Sequence, residues 1–288
     1  MVVRMVFWLP RDIAMPTLSP DLLIVPAEQQ SSLTIRAKAL AFADPRSRQL
    51  LEHLDTLAPL PYPVVLTGEW GTGRELLARR LHERSGRTGL FSSLDCASLS
   101  RRHGAAELFG YVPRAYAGTS GSRVGWFGTA HAGSLYLDEI ADLSRPLQEE
   151  LVKVLSDGSI LRLGSSQRTS VDVRLIAGSS IDLALAVAAG HFDERLWQHL
   201  APGRVAVPPL RERPADLLPL ARHFLSLHAE RLDRRPPELT AEDEAALIAY
   251  PWPGNIRELE QVLHTALLTA STSGLQLGKL LPLSLVPR

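Results

Sequence analysis

Hydrophobic and polar positions follow two regimes along this chain. From about residue 40 to 210, short apolar runs at 63–67, 90–94, 134–137 and 171–177 read as buried strands, and they take turns with helical stretches at 46–57, 75–82 and 147–155. Such alternation predicts a parallel sheet covered by helices on both faces. From residue 216 the strands stop. Residues 216–225 open a helix behind Asp216 as N-cap, and Thr240-Ala241-Glu242-Asp243 forms a capping box ahead of 245–249. Pro251-Trp252-Pro253-Gly254-Asn255 then turns into a helix over 256–268. The pattern therefore predicts an irregular Pro- and Ser-rich arm over 1–35, an α/β unit over 36–214 and a small all-helical unit over 215–288. Within the arm, Met15 is an alternative start.

Composition narrows the class without adding a site. At 288 residues the chain can bury a substantial core. Lys plus Arg and Asp plus Glu balance at 31 each, so no global basic field points to a polyanion. Local runs at Arg101-Arg102-His103 and 231–235 read as solvated faces. A lone cysteine, Cys96, excludes an internal disulfide, fits a reducing cytoplasm and is assigned to the core. The apolar start is broken by Arg4 and Pro10, too short for a membrane span and without a cleavage site.

The chemistry is concentrated in two places. Gly68-Glu69-Trp70-Gly71-Thr72-Gly73-Arg74-Glu75 sits between a predicted strand and a predicted helix, the setting of a phosphate-binding loop. Glycines at 68, 71 and 73 let the backbone approach phosphates, and the helix start supplies amides and a positive dipole. Arg74 stands where that pattern has lysine, keeping the charge but changing its shape, and Glu75 stands where a magnesium-holding hydroxyl belongs. The second place is Ser134-Leu135-Tyr136-Leu137-Asp138-Glu139, an apolar strand ending in two acids. There Asp138 is placed to hold magnesium through water and Glu139 to orient an attacking water.

With these come Asp95-Cys96-Ala97-Ser98-Leu99, Glu107-Leu108-Phe109-Gly110, Val173-Arg174-Leu175-Ile176-Ala177, Pro208-Pro209-Leu210-Arg211-Glu212-Arg213 and Trp252-Pro253-Gly254-Asn255-Ile256-Arg257-Glu258-Leu259. Over roughly 40–280 the chain resembles the AAA+ ATPase domain of bacterial enhancer-binding proteins, the activators of sigma-54 RNA polymerase. The resemblance implies an AAA+ P-loop sheet sandwiched by helices and followed by a helical lid. It also implies ATP or ADP with magnesium, a ring with nucleotide between subunits, and a surface loop that engages the sigma factor. Gly68, Glu69, Gly71, Thr72, Gly73, Arg74 and Glu75 would bind nucleotide, joined from the lid by Arg257 as the second-sensor arginine. The alternative for Arg257 is a surface pair with Glu258 or Glu260.

Laid on that family pattern, the chain departs at several positions. The asparagine that restrains the catalytic glutamate falls on Asp95, whose carboxylate would repel Glu139. The sensor asparagine falls on Ser180, and the two arginine fingers fall on Asp193 and His199, with Arg195 and Arg204 as nearby stand-ins or bland surface residues. The sigma-contact loop (GAFTGA in the family) falls on Arg114-Ala115-Tyr116-Ala117-Gly118-Thr119, keeping the aromatic but losing the first glycine and the threonine. No DNA-reading helix-turn-helix and no membrane segment are expected.

Three functions follow from these readings. The first is a regulator with an ATP-binding core and impaired hydrolysis, acting through protein contacts in a mixed ring with an active activator or against it. The second is an active sigma-54 activator ATPase. The third is a non-enzymatic sensor of another nucleotide, such as a cyclic dinucleotide, using Arg74, Arg79 and Arg80.

Overall fold

The computed structural model describes residues 22–24 (by backbone), 39–100, 102–117, 119–270, 275 and 277–281. Most of the 1–35 arm, including Met15, and also Arg101 and Gly118 lie outside the described residues. Where the arm is described it is not irregular: β1 (Leu22–Ile24) pairs antiparallel with β2 (Ala39–Ala41).

Helix α1 (Pro45–Leu57) begins with proline at a position where no N–H is missed, and the Asp44 side chain accepts from the Arg46 amide. Strand β3 (Val64–Thr67) leads through the glycine loop into α2 (Arg74–Arg84), and β4 (Phe91–Asp95) follows. After α3 (Gly104–Phe109) and α4 (Trp126–Thr129) comes β5 (Ser134–Asp138), then α5 (Arg145–Asp157). A hairpin of β6 (Ser159–Leu161) and β7 (Arg168–Ser170) precedes β8 (Arg174–Ser179), which α6 (Leu183–Ala188), α7 (Glu194–Leu200) and β9 (Arg204–Ala206) follow. The strand expected at 171–177 thus starts three residues later, because residues 168–170 pair back onto 159–161.

The main sheet is parallel, in the order β4-β5-β8-β3-β9. Its side chains alternate with period two. Val64 and Leu66 of β3, Tyr136 of β5 and Ile176 of β8 face one core with α1 and α2; Val65, Leu135, Leu137, Leu175 and Ala177 face the other with α3, α5 and α7. This order sets the loop after β3 and the acids closing β5 on either side of the end of β8. All three open onto the carboxyl edge, where ligands of such sheets collect.

The lid comprises α8 (Leu217–Arg231), α9 (Ala241–Ala249), α10 (Asn255–Thr269) and the short α11 (Leu277–Leu280). Thr240 and Asp243 form the expected capping box at α9. Asp216 stands at the N-cap position of α8 but makes no side-chain capping bond: its fully buried carboxylate accepts from the Asp44 amide at 2.8 Å and from the Ser47 hydroxyl, tying the lid to the start of α1. Phe224, Leu247, Trp252, Ile256, Leu259 and Leu263 join the same apolar core as Leu40, Leu66 and Leu77, so the lid closes one face of the sheet. At about 1.5–3 kcal/mol for each fully buried large apolar side chain, that shared core is a major source of stability.

Candidate functional site: a phosphate loop, two acids and a lid

Gly71 (φ +78°) and Gly73 (φ +99°) take left-handed backbone that residues with a Cβ adopt at a penalty, and this curls the loop after β3. The Thr72 hydroxyl closes it by donating to the Glu69 carbonyl at 2.8 Å. Gly73 is the N-cap of α2 and has no side chain to satisfy the helix's first amides, leaving an anion site of the usual kind.

Arg74 does not extend towards solvent. Its guanidinium is almost fully buried; Nη1 donates to the Gly68 carbonyl, and Nη2 donates to Glu139 Oε1 and to Asp138 Oδ1, the latter at 3.2 Å. Burial works against its charge, but Tyr136, Asp138 and Glu139, with the bond to Glu139, outweigh burial and raise its pKa above the ordinary guanidinium value. Asp138 also accepts from the Tyr136 hydroxyl at 2.8 Å, an approach open because residue 178 is glycine and a Cβ there would strike both groups. Glu139 holds left-handed backbone (φ +48°), and its second oxygen accepts from the Ser180 amide at 3.0 Å and hydroxyl at 2.8 Å. Every oxygen of Glu139 therefore has a protein donor. Trp70, half exposed, lies over the guanidinium with its ring centre 5.9 Å from Cζ.

The lid grips the loop through consecutive carbonyls. Asn255 Nδ2 donates to the Trp70 carbonyl at 2.9 Å, the Ile256 amide to that of Gly71 at 3.1 Å and Arg213 Nη2 to that of Thr72 at 2.8 Å. Glu69 accepts both arms of Arg211, at 2.8 and 2.6 Å, and Asn255 Nδ2 at 3.1 Å. Arg213 is fully buried, and burial pulls its pKa down to about 10 against the opposing fields of Asp216 and Asp44. Arg257 sits at the loop: a Cβ on Gly71 would lie 3.1 Å from its own Cβ. Glu258 accepts from the Tyr250 hydroxyl at 2.8 Å and the Gly254 amide at 2.7 Å, and Glu260 lies 3.6 Å from His228.

Comparison with known proteins adds the family. Residues 40–206 match the Sigma-54 interaction domain, and residues 211–285 match an AAA+ ATPase lid domain. SfnR of Pseudomonas putida, a sigma54-dependent transcriptional activator, is 44% identical over 257 residues, covering 89% of this chain and 70% of SfnR. The chain belongs to the sigma-54-dependent transcriptional activator family. Among its other relatives, the transcriptional regulatory protein ZraR of Klebsiella oxytoca is 42% identical over 225 residues, 78% of this chain and 51% of ZraR. NtrX of Brucella abortus, solved in complex with ATP, superposes with a TM-score of 0.74 at 33% identity, over 82% of this chain and 52% of NtrX. The chain spans about half the length of these last two.

At the positions that the sequence reading set against the activator pattern, the structure gives each residue local work. Asp95 accepts from the Ala97 amide at 3.0 Å and caps a 3-10 turn. Ser180 engages Glu139 as above. Asp193 caps α7, accepting from the Arg195 amide at 2.8 Å and the Leu196 amide at 3.2 Å, and Arg145 lies 3.1 Å from it. His199 Nε2 lies 3.3 Å from the Ser156 hydroxyl. The two stand-in arginines are in surface pairs, Arg195 with Asp193 at 3.4 Å and Arg204 with Asp182 at 3.7 Å.

Burial alone would raise the Asp193 pKa, but bonds from the Leu196 amide and from the side chain and amide of Arg195, with the charge of Arg145, hold it below the ordinary carboxylate value. Its stabilisation is thus present above the unfolded carboxylate pKa and is lost as pH falls through the depressed folded value. Asp193→Ala is expected to lower stability by about 1–2 kcal/mol at neutral pH, with the gap from wild type shrinking in acid, as read by urea unfolding across pH.

The stretch expected to correspond to the sigma-contact loop is described on both sides of Gly118. Arg114 (φ +64°) donates its amide to the Thr119 carbonyl at 2.9 Å, and the Thr119 hydroxyl donates to the Tyr116 carbonyl at 2.7 Å. Tyr116 packs on His103 and Tyr111, with ring centres 4.9 and 5.6 Å apart, while Gly118 lies outside the described residues. The reading of Arg74, Arg79 and Arg80 as one cationic helix start is corrected. Arg79 pairs with Glu75 at 3.1 Å and lies over Phe91, and Arg80 takes Asp55 in two bonds, whereas Arg74 faces the acids of β5. Steps of five and six residues on a helix do not share a face.

Proposed function

We propose that this chain is a nucleotide-binding regulator of the sigma-54 activator family in which hydrolysis is suppressed and action runs through protein contacts. The observation that carries the reading is Arg74 bound to both Asp138 and Glu139 while Ser180 takes the remaining oxygen of Glu139. A glutamate committed in this way cannot accept a proton from water or orient it without first giving up a buried charged partner. The loop glycines and the open start of α2 retain what phosphate binding needs, and NtrX, of the same fold, has been solved with both ADP and ATP. In this reading the loop amides and Arg74 hold the phosphates and Arg257 approaches from the lid.

With Asp193 and His199 at the finger positions, a subunit of this kind offers its neighbour no arginine at either one. Such a subunit placed in a ring of an active relative lowers that ring's output. Titrating the full chain into an active relative is expected to reduce ATP turnover in proportion to incorporation, with both chains in one assembly on size exclusion. Separate elution and unchanged turnover in excess chain would remove the mixed-ring reading. The second reading, an active activator ATPase, is favoured by the retained Asp138, Glu139 and Arg257, and a turnover that Glu139→Gln abolishes would establish it.

Magnesium, which the family resemblance implies, does not fit the side chains as placed. Asp138 and Glu139 are engaged by Tyr136, Arg74 and Ser180, and Glu75 directs its carboxylate to Arg79. Among the described residues no group of three or more His, Cys, Asp or Glu has the arrangement of a metal site.

A further inference from the structure

We propose that the Arg74 guanidinium replaces magnesium as the counter-cation of the nucleotide, so that this chain binds ATP or ADP free of divalent metal. The inference rests on the nucleotide-binding reading above and specifies the form of its ligand.

Geometry and charge carry it together. A magnesium ion requires a near-octahedral set of oxygens, commonly one or two carboxylates with phosphate and water, and it gives up water reluctantly. Here the two carboxylates on the end of β5 are cross-linked by one buried cation. Nη2 of Arg74 bridges Glu139 Oε1 and Asp138 Oδ1, and Nη1 is anchored on the Gly68 carbonyl in the floor of the loop. The Tyr136 hydroxyl donates to the same Oδ1 of Asp138, and the second oxygen of Glu139 takes both donors of Ser180. A divalent ion entering this pair would have to displace the guanidinium or sit against its charge, and an arginine does not lose its proton to relieve that repulsion.

The chain has thus exchanged a labile cation for a covalently attached one. A guanidinium fork suits phosphate oxygens as well as carboxylates, and it is held between the acids and the loop whose amides face the ligand. Position 75 agrees with the exchange: it carries a carboxylate engaged by Arg79 at 3.1 Å and no hydroxyl for a metal. Arg257, from the lid, has its Cβ against the same loop at Gly71.

Calorimetric titration of the full chain with ATP and with ADP, each in millimolar magnesium and in excess EDTA, tests the proposal. Wild-type Kd values are expected to agree within about twofold between the two conditions. Arg74→Lys shortens the cation and removes the fork, and its Kd is expected to rise about tenfold or more on chelation. Wild-type binding that is lost in EDTA would overturn the proposal without touching the nucleotide reading, and so would an Arg74→Lys chain as indifferent to chelation as wild type. Absence of binding in all conditions would overturn both. The wild-type arm decides even if the variant folds poorly.

Discussion

Arg74→Ala is expected to lower the unfolding free energy by about 3–5 kcal/mol, the range for removing one partner of a buried ion pair. The loss comes less from the attraction given up than from what remains: Asp138 and Glu139, both buried, face each other at the end of β5 with no cation between them. Lysine at the same position would retain the charge but not the bridge, so Arg74→Lys should lose less. Adding Glu139→Gln to Arg74→Ala removes one of the two stranded charges and is expected to recover part of the stability, a non-additivity that reports direct coupling. Urea unfolding monitored by far-ultraviolet dichroism gives these differences as shifts in midpoint at constant slope. An Arg74→Ala chain within about 0.5 kcal/mol of wild type, the scale of an ordinary surface substitution, would mean that the bridge is not formed in solution.

The second large effect is catalytic. Turnover of ATP by this chain is expected to lie about a thousandfold or more below that of a relative with arginine at both finger positions, because a single finger contributes about that much. Reversion at one position does not repair the loss. Asp193 is now the buried N-cap of α7, so Asp193→Arg removes two hydrogen bonds to helix amides and sets a second guanidinium beside Arg145. That variant is expected to be less stable than wild type and no faster. Arg74→Lys alone likewise leaves the finger positions empty of cation.

Much of the architecture is legible in the linear pattern. Val64 to Thr67, the glycine loop and the start of α2 are local features, and the Thr240 capping box needs no tertiary information. The two acids closing β5 are legible for the same reason. The bridge is not. It depends on β8 lying between β5 and β3, an order that brings residues 74, 138, 139 and 180 together and that no local periodicity encodes.

Asp216 illustrates the limit from another side. Its position before an apolar helical stretch suits an N-cap, yet its carboxylate is drawn to Asp44 and Ser47 by tertiary packing. Asp193 is the converse case. Family pattern marks it as a lost arginine, while its service as a helix cap follows only once α7 is seen to start at Glu194. Arg211, Arg213, Asn255 and Tyr136 carried no individual signal beyond membership of shared motifs or an apolar strand. Their roles rest on the closeness of lid and loop, which buries Arg213 completely and pairs Arg211 with Glu69.

On the proposed function, this chain holds nucleotide in a site whose β5 glutamate, Glu139, is already committed to Arg74 and Ser180. Phosphate release from ATP, measured on wild type and Glu139→Gln at a concentration where calorimetry shows the nucleotide bound, tests it most directly. The expected result is bound nucleotide with turnover at the same background level in both proteins. Wild-type turnover at the rate of an active relative, abolished by Glu139→Gln, would contradict it.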